Sequence, residues 1–213
     1  MFKTLPFRVT VIAFGIILSI LSVSISANVQ TTEVRTTTSV QDTSTIDSTV
    51  YISDSIRDEL VLRTNEYITG NFPKAKLTAE ALVTACEKHD FDICFALAQA
   101  EIESCMGTVG KAAKTNSPWN VGAADGRSAQ EMNRLGYGYS HPDHSIEPYI
   151  ELVKTKYLGD KRTINDLMKR YVTLKGARYA TDPDYESSLR ATYNRICLKT
   201  SIRELQEKLQ QLG

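Results

Sequence analysis

The segment AQAEIES, residues 98–104, combines a glutamine with two glutamates, and a carboxyl group can act as a general acid. Glu101 and Glu103 would lie about 200° apart around a helix, so they cannot share a face. Gln99 and Glu103 are four residues apart and would project together. Only one of the two carboxyls can therefore point into a cleft, and the alternative for either is a structural ion pair.

The helix that would carry these residues is predicted over 93–104, with Asp92 as its cap. It is apolar on nearly all sides, which indicates a buried central helix. A carboxyl in the last turn of such a helix faces the negative end of the helix dipole and loses contact with water. Both effects disfavour the charged form, as suits a proton donor near neutral pH.

Apolar residues at helical spacing predict further helices on both sides of the central one. They are expected over 55–68, from Thr78 to about 89, from Ser145 to about 158, from Thr163 to about 171, from Asp182 to about 198, and after Ser201. Thr78, Ser145 and Asp182 are the expected caps, and Thr163 with Asp166 and Ser201 with Glu204 have the capping-box pattern. Between residues 107 and 144, glycines and prolines punctuate polar residues, which predicts loops and at most a small hairpin. The sequence thus predicts a mainly α (α+β) fold with one loop-rich lobe.

The N-terminal fifty residues carry signals of export. Lys3 and Arg8 precede a short apolar run, and small residues follow it, so residues 1–27 are predicted to be a signal peptide cleaved near Ser26 or Ala27. An uncleaved membrane anchor is the alternative. Residues 28–50 are rich in Ser and Thr and are predicted to form a flexible tether. The mature chain would be periplasmic, cell-surface or secreted, or held at the membrane by the anchor.

Composition limits the remaining function classes. The 213 residues allow one ordinary domain with appendages and exclude a large multidomain machine. The 25 basic residues balance the 25 acidic ones, so the overall field gives no reason to bind nucleic acid. A membrane contact is expected only through an uncleaved N-terminal segment. Nothing in the composition bears on the oligomeric state.

Three motifs, in the expected order, resemble glycoside hydrolase family 73, the peptidoglycan N-acetylglucosaminidases. They are LAQAEIESCMGTVG (97–110), TNSPWNVGAADG (115–126) and ARYATDPDY (177–185). The resemblance implies a lysozyme-like fold, with a helical lobe and a small loop/β lobe flanking a cleft. It places the glucosaminidase-like domain at 78–199, between a helical extension (51–77) and a C-terminal helix (200–213).

The same resemblance implies roles for individual residues. Glu103 matches the catalytic acid of the family, and Tyr179 matches a tyrosine that lines the cleft beside the acid. Substrate-binding roles are expected for Gln99, Asn116, Trp119, Asn120 and Tyr185. An aromatic face can stack on a sugar and an amide can bind an N-acetyl group, whereas core packing is the alternative for the aromatic residues.

Two features depart from the family pattern. Cys105 and Met106 stand where the family commonly has Gly and Trp, so one aromatic wall of the cleft is expected to be missing. The second carboxylate is also open, with Asp125 as the candidate and Glu131 and Asp143 as alternatives. The choice between retaining, inverting and substrate-assisted hydrolysis stays open with it.

The four cysteines form an even set in a chain predicted to be exported. Cys94 and Cys105 would be too far apart along one helix to pair. At least one disulfide is therefore expected, from Cys105 to Cys197 or to Cys86, with four buried thiols as the alternative.

Two other chemistries receive little support. No catalytic-cysteine signature surrounds the cysteines, which argues against a Cys/His peptidase. His141 and His144 lie in the loop segment HPDH without a clear third ligand, so no metal site is predicted.

We therefore expect a cofactor-independent hydrolase of peptidoglycan glycan strands that cleaves the β-1,4 bond between N-acetylglucosamine and N-acetylmuramic acid. The alternatives are a lytic transglycosylase and a non-catalytic wall-binding or structural module.

Overall fold

The computed structural model of the protein describes residues 44–122 and 126–212. The predicted signal peptide and residues 28–43 of the predicted tether lie outside this part of the chain. No helix within the described residues has the length and apolar character needed to cross a membrane.

Helices make up most of the described chain. They are α1 (Ser44–Asn71), α2 (Ala79–Lys88), α3 (Ile93–Ser104), α4 (Ala112–Thr115), α5 (Ala129–Arg134), α6 (Ile146–Val153), α7 (Ile164–Lys169), α8 (Tyr185–Thr200) and α9 (Ile202–Gln210). A 3-10 turn, Pro142–Ser145, precedes α6, and a π turn, Lys154–Leu158, continues it. This order confirms the mainly α prediction.

The central helix α3 is buried, as its apolar sequence predicts. Every residue from Ile93 to Ala100 is buried. Asp92 caps the helix by accepting the backbone N–H of Phe95 at 2.9 Å. Thr78 caps α2 in the same way, and Thr163 and Asp166 form the expected capping box of α7.

Helix α8 packs along α3 in the opposite direction. The Tyr185 hydroxyl at the start of α8 reaches Glu103 near the end of α3 at 2.6 Å. The Tyr193 hydroxyl, two turns later, reaches Asp92 at the start of α3 at 2.7 Å. Two hydrogen bonds thus fix the register between the helix that carries the predicted acid and the helix that faces it.

The lobe between α3 and α6 is built from loops, as predicted. Its described residues contain the short helices α4 and α5 and the 3-10 turn, and no β-strand. The one isolated β-bridge in the described chain joins Val172 and Arg178, outside this lobe. The small hairpin allowed by the sequence therefore does not appear in the described part of the lobe.

The tether prediction is wrong at its C-terminal end, because α1 begins at Ser44 and not after residue 50. Val50, Tyr51 and Ile52 are exposed on this helix. A helix already stabilised by packing extends at little cost, since each added residue gains a backbone hydrogen bond. The packed region of α1, around Leu60, Tyr67 and Ile68, therefore supports exposed turns that would not form alone.

Three predicted caps are wrong. Ser201 has left-handed φ and no side-chain capping bond, so the capping box expected with Glu204 does not form. The Ser145 hydroxyl donates to Pro142 O and does not cap α6. Asp184, not Asp182, precedes α8, and its side chain makes no capping bond. Ser145 and Ser201 each lie directly between two helical elements, whose packing sets the backbone there.

All four cysteines are free thiols. Cys105, which was expected to be in a disulfide, is exposed at the end of α3, whereas Cys86 and Cys94 are buried. The Cys94 thiol instead lies near that of Cys197 on α8, and the two interact electrostatically. The predicted pairings of Cys105 are wrong, because the chain turns outward where α3 ends.

Candidate active site

A cleft of about 720 Å³ opens between the helical lobe and the loop-rich lobe. Glu103 lines it, together with residues of the loops after α3 and residues near the start of α8. The aromatic and polar lining includes Trp119, Asn120, Tyr137, Tyr157, Tyr179, Asp182 and Tyr185. The motif residues Glu103, Asn120, Tyr179 and Tyr185 therefore meet at one place.

The end of α3 holds Glu103 at the cleft. Cys105 and Met106 adopt left-handed backbone conformations, with φ of 48° and 58°, and turn the chain out of the helix. The Ser104 hydroxyl donates to Pro118 O at 2.6 Å and accepts the backbone N–H of Gly107 at 2.8 Å. Ser104, the serine of the ES pair, thus ties the helix end to the loop that carries Asn120.

Two neutral donors hold the Glu103 carboxyl. The Tyr185 hydroxyl donates to Oε1 at 2.6 Å, and the Asn120 amide donates to Oε2 at 3.3 Å. Asn120 has a left-handed φ of 51°, a conformation that asparagine tolerates better than most residues. Its Oδ1 atom is buried and has no hydrogen-bond partner among the described residues. The site therefore contains an oriented carboxyl and an unsatisfied acceptor beside it.

A group of packed tyrosines forms one wall of the cleft. The Tyr179 ring stacks on that of Tyr171, with centroids 4.3 Å apart, and Tyr157 and Tyr185 pack against the Tyr179 ring. Burial is the main cause that raises the pKa of both Tyr179 and Tyr185, and the Glu103 charge adds to it. Both hydroxyls therefore stay protonated and can donate hydrogen bonds.

Gln99 does not reach the cleft, so its predicted contact with substrate is wrong. The side chain is fully buried at 0% exposure. Its Oε1 accepts the hydroxyls of Tyr149 at 2.8 Å and Tyr171 at 3.2 Å, and its Nε2 donates to the Tyr185 hydroxyl at 3.3 Å. Gln99 shares a face with Glu103, as predicted, and supports Tyr185 from behind.

Trp119 borders the cleft but is only 2% exposed, which leaves no open face for a sugar. Its ring stacks on Tyr149 with centroids 4.5 Å apart, and its Nε1–H donates to Ala96 O at 2.8 Å. The predicted stacking role is therefore wrong, and the core-packing alternative applies. Trp119 anchors the loop of Asn120 to the central helix.

Asn116 does not line the cleft either. Its amide donates to Tyr139 O at 2.8 Å, and its backbone is left-handed with φ of 50°. It therefore joins two loop segments instead of contacting substrate as expected.

Met106, which stands where the family commonly has an aromatic residue, is buried in the core. Tyr137 lines the cleft and packs directly over Gly122, where any side chain would collide with its ring.

Of the three candidate second carboxylates, the two that the structure describes, Asp143 and Glu131, do not line the cleft. Asp143 accepts both the backbone N–H and the hydroxyl of Thr78 at 2.8 Å, so it supports the start of α2. Glu131 lies in the first turn of α5 and is not in the cleft lining. Asp125 lies outside the described residues. Asp182, which sequence reasoning did not consider, is the described carboxylate that lines the cleft besides Glu103.

Glu101 points to the other side of α3, as the helical angle predicts. It accepts hydrogen bonds from Tyr67 on α1 and from Arg195 on α8, and Arg195 also donates to the Tyr67 hydroxyl at 3.0 Å. Burial, followed by the Glu101 contact, raises the pKa of Tyr67. The structural ion pair, which the sequence allowed for either glutamate, is therefore formed by Glu101.

Sequence reasoning also missed the basic residues of the cleft, which are Lys111, Arg127 and Lys156. Nothing in the local sequence separates them from the other surface lysines and arginines. Lys111 and Arg127 come from the loop-rich lobe and Lys156 from the π turn after α6, so only the tertiary structure assembles them.

Comparison with known families agrees with this geometry. The family model Glucosaminidase, described as mannosyl-glycoprotein endo-beta-N-acetylglucosaminidase, matches residues 79–198, which is more than half of the chain. That range includes the whole cleft lining and excludes α1 and α9. No curated protein and no solved structure shows a significant match to the chain.

Proposed function

Because the chain belongs to the mannosyl-glycoprotein endo-beta-N-acetylglucosaminidase family of glycoside hydrolases, we propose that it hydrolyses peptidoglycan. The bond cleaved would be the β-1,4 bond between N-acetylglucosamine and N-acetylmuramic acid, with Glu103 as the general acid. The observation that carries this proposal is the Glu103 carboxyl, held in an open cleft by Tyr185 and Asn120. A peptidoglycan substrate also fits the export predicted from the N-terminal segment.

The two donors suit a carboxyl that gives up a proton. Glu103 would protonate the glycosidic oxygen as the bond breaks. The hydroxyl of Tyr185 and the amide of Asn120 remain in place and stabilise the carboxylate that forms. Because Tyr179 and Tyr185 keep their own protons, neither hydroxyl takes the proton that Glu103 has to donate. We propose that Tyr179, which also lines the cleft, helps to position the sugar.

The unsatisfied oxygen of Asn120 indicates how the sugar would be recognised. A buried acceptor without a partner costs about 1–3 kcal/mol, and a ligand that supplies a donor recovers this cost. The N–H of a 2-acetamido group is such a donor. We propose that Asn120 Oδ1 accepts this N–H, while its Nδ2 stays bonded to Glu103. One residue would then link recognition of the N-acetyl group to the acid.

The second carboxylate, which would act as a base or as a nucleophile, belongs to the same proposal. Asp182 lines the cleft, and Asp125 belongs to the loop-rich lobe but lies outside the described residues. We keep Asp125 as the proposed second carboxylate, with Asp182 as its rival. Substrate assistance by the acetamido group would require neither.

Analysis of digested peptidoglycan tests the proposed bond directly. We expect mass spectrometry of the released muropeptides to find N-acetylglucosamine at the new reducing ends. N-acetylmuramic acid at these ends would place the cut at the other glycosidic bond, and anhydro ends would identify a lytic transglycosylase. A complete lack of new ends with folded protein would indicate a non-catalytic wall-binding or structural module. Any of these three results overturns the proposal.

A further inference from the structure

Two lysines face the cleft from opposite lobes. Lys111 lies at the start of α4 in the loop-rich lobe, and Lys156 lies in the π turn after α6 in the helical lobe. Neither ammonium group makes an ion pair or hydrogen bond with the residues that the structure describes. Both cations are therefore available to a molecule bound in the cleft.

The charge balance of the cleft differs from that of the whole chain. Lys111, Arg127 and Lys156 line it with two described carboxyls, Glu103 and Asp182, although the chain as a whole is neutral. Glu103 must also carry a proton to act as the acid. The described part of the cleft is thus positive when it is ready for catalysis, which favours an anionic ligand.

Peptidoglycan is anionic where other N-acetylglucosamine polymers are neutral. The lactyl group of muramic acid, or the stem peptide attached to it, carries carboxylates, whereas chitin carries none. We propose that Lys111 and Lys156 bind these carboxylates and so select muramic acid-containing glycans over neutral ones. This inference deepens the proposed function and depends on it for the identity of the substrate.

Binding measurements test this selection separately from catalysis. The Glu103→Gln protein serves as the parent, and its dissociation constants are compared for a muramic acid-containing fragment with stem peptides and for an N-acetylglucosamine oligomer of equal length. Adding Lys111→Gln and Lys156→Gln is expected to weaken binding of the anionic fragment about fivefold, because each partly exposed ion pair contributes modestly. Binding of the neutral oligomer should not change.

A matched control removes two lysines outside the cleft. Lys114 lies on the same short helix as Lys111, and Lys161 lies in the connection before α7; both are exposed. Replacing these two with glutamine should leave both affinities unchanged. Equal losses for the anionic and neutral ligands, or no loss for the anionic one, would overturn the selection. Failure of the hydrolysis itself would instead appear in the muropeptide experiment.

A second inference concerns Cys94 and Cys197 and is independent of the substrate. The hydrogen bond between Tyr193 and Asp92 fixes the register of α8 on α3 at 2.7 Å. Cys197 follows Tyr193 by one helical turn on α8, and Cys94 follows Asp92 by two residues on α3, so this register brings the two thiols close together between the helices. Cys94 is buried and Cys197 is half-buried, so reagents in solvent can reach only the second thiol.

We propose that Cys94 and Cys197 form a disulfide when the protein meets a disulfide oxidant such as oxidised glutathione. The Cys197 thiolate attacks one glutathione sulfur and releases the first glutathione thiol. Cys94 then attacks the Cys197 sulfur of the mixed disulfide and releases the second. The two cysteines lose two protons and two electrons, and one glutathione disulfide becomes two thiols.

The neighbouring Cys94 thiol favours this order of attack. It lowers the pKa of Cys197, so the accessible thiol is the better nucleophile. The bond would join the start of α3 to the end of α8, which are the ends of these helices far from Glu103 and Tyr185. The predicted export would bring the chain to a compartment where such bonds persist.

Thiol counting in denaturant tests the cross-link on the full chain. Oxidised glutathione should reduce the count of free thiols from the four in the sequence by one pair, and peptide mapping should find Cys94 joined to Cys197. The melting temperature should rise by about 10 °C, because the bond closes a long loop. Cys105→Ser, at an exposed position, should still lose one pair of thiols, whereas Cys197→Ser should lose none. A persistent glutathione adduct, an unchanged thiol count or a bond through Cys105 would overturn the proposal.

Discussion

Replacing Glu103 with glutamine is expected to lower the kcat for glycan cleavage about a thousandfold, because the amide cannot donate the proton that the leaving oxygen needs. The change keeps the shape of the side chain. Its oxygen can still accept from Tyr185 or Asn120, so the fold should be retained. The measurement is the rate of reducing-end release from purified peptidoglycan, together with the thermal unfolding temperature of the same sample.

Glu101→Gln is the matched control for this experiment. Glu101 is two residues earlier on the same helix, and its carboxyl binds Tyr67 and Arg195 on the other side of α3. The control loses part of an ion pair, so its melting temperature should fall slightly while its kcat stays near that of the parent. Full activity in Glu103→Gln, or equal losses in the two variants, would contradict the assignment of Glu103 as the acid.

Replacing Trp119 with alanine is expected to lower the free energy of unfolding by about 3–5 kcal/mol, the usual cost of removing a large buried aromatic side chain. The indole ring is 2% exposed, stacks on Tyr149 and donates to Ala96 O. Its loss leaves a cavity against the central helix and frees the loop that carries Asn120. Equilibrium unfolding in urea measures the effect.

Trp119→Phe distinguishes packing from sugar binding. Phenylalanine keeps a ring against Tyr149 but loses the N–H bond to Ala96 O, so its cost in stability should be smaller than that of alanine. The KM for peptidoglycan should stay near that of the parent. A raised KM with unchanged stability would restore Trp119 as a sugar-stacking residue.

Local sequence signals predicted most helix boundaries, and the successes share a physical cause. Asp92 caps α3 and Thr78 caps α2 through bonds to backbone groups three residues away, so neighbouring residues contain all the partners. Ser201 has the same local pattern with Glu204, but the turn between α8 and α9 holds it in a left-handed conformation. A cap requires backbone angles that packing of the flanking helices can forbid.

The sequence predicted which kinds of residue form the candidate site, but not most of the contacts between them. The angle between Glu101 and Glu103 separated the two carboxyls correctly, because a helix fixes relative direction. The same reasoning placed Gln99 on the face of Glu103, which is right, but three tyrosines from distant segments cover it. The position of a residue on one face of a helix does not reveal which distant segment packs against that face.

The order and type of the helices, the buried central helix and the carboxyl at its end follow from the amino-acid sequence, since hydrophobic periodicity and capping act over a few residues. Only the tertiary structure decides that Tyr185, 82 residues away, holds Glu103, that Trp119 belongs to the core, and that lysines from two lobes face one cleft. These contacts join segments far apart in the chain. Their free energy depends on packing and desolvation in the complete fold, which no local pattern records.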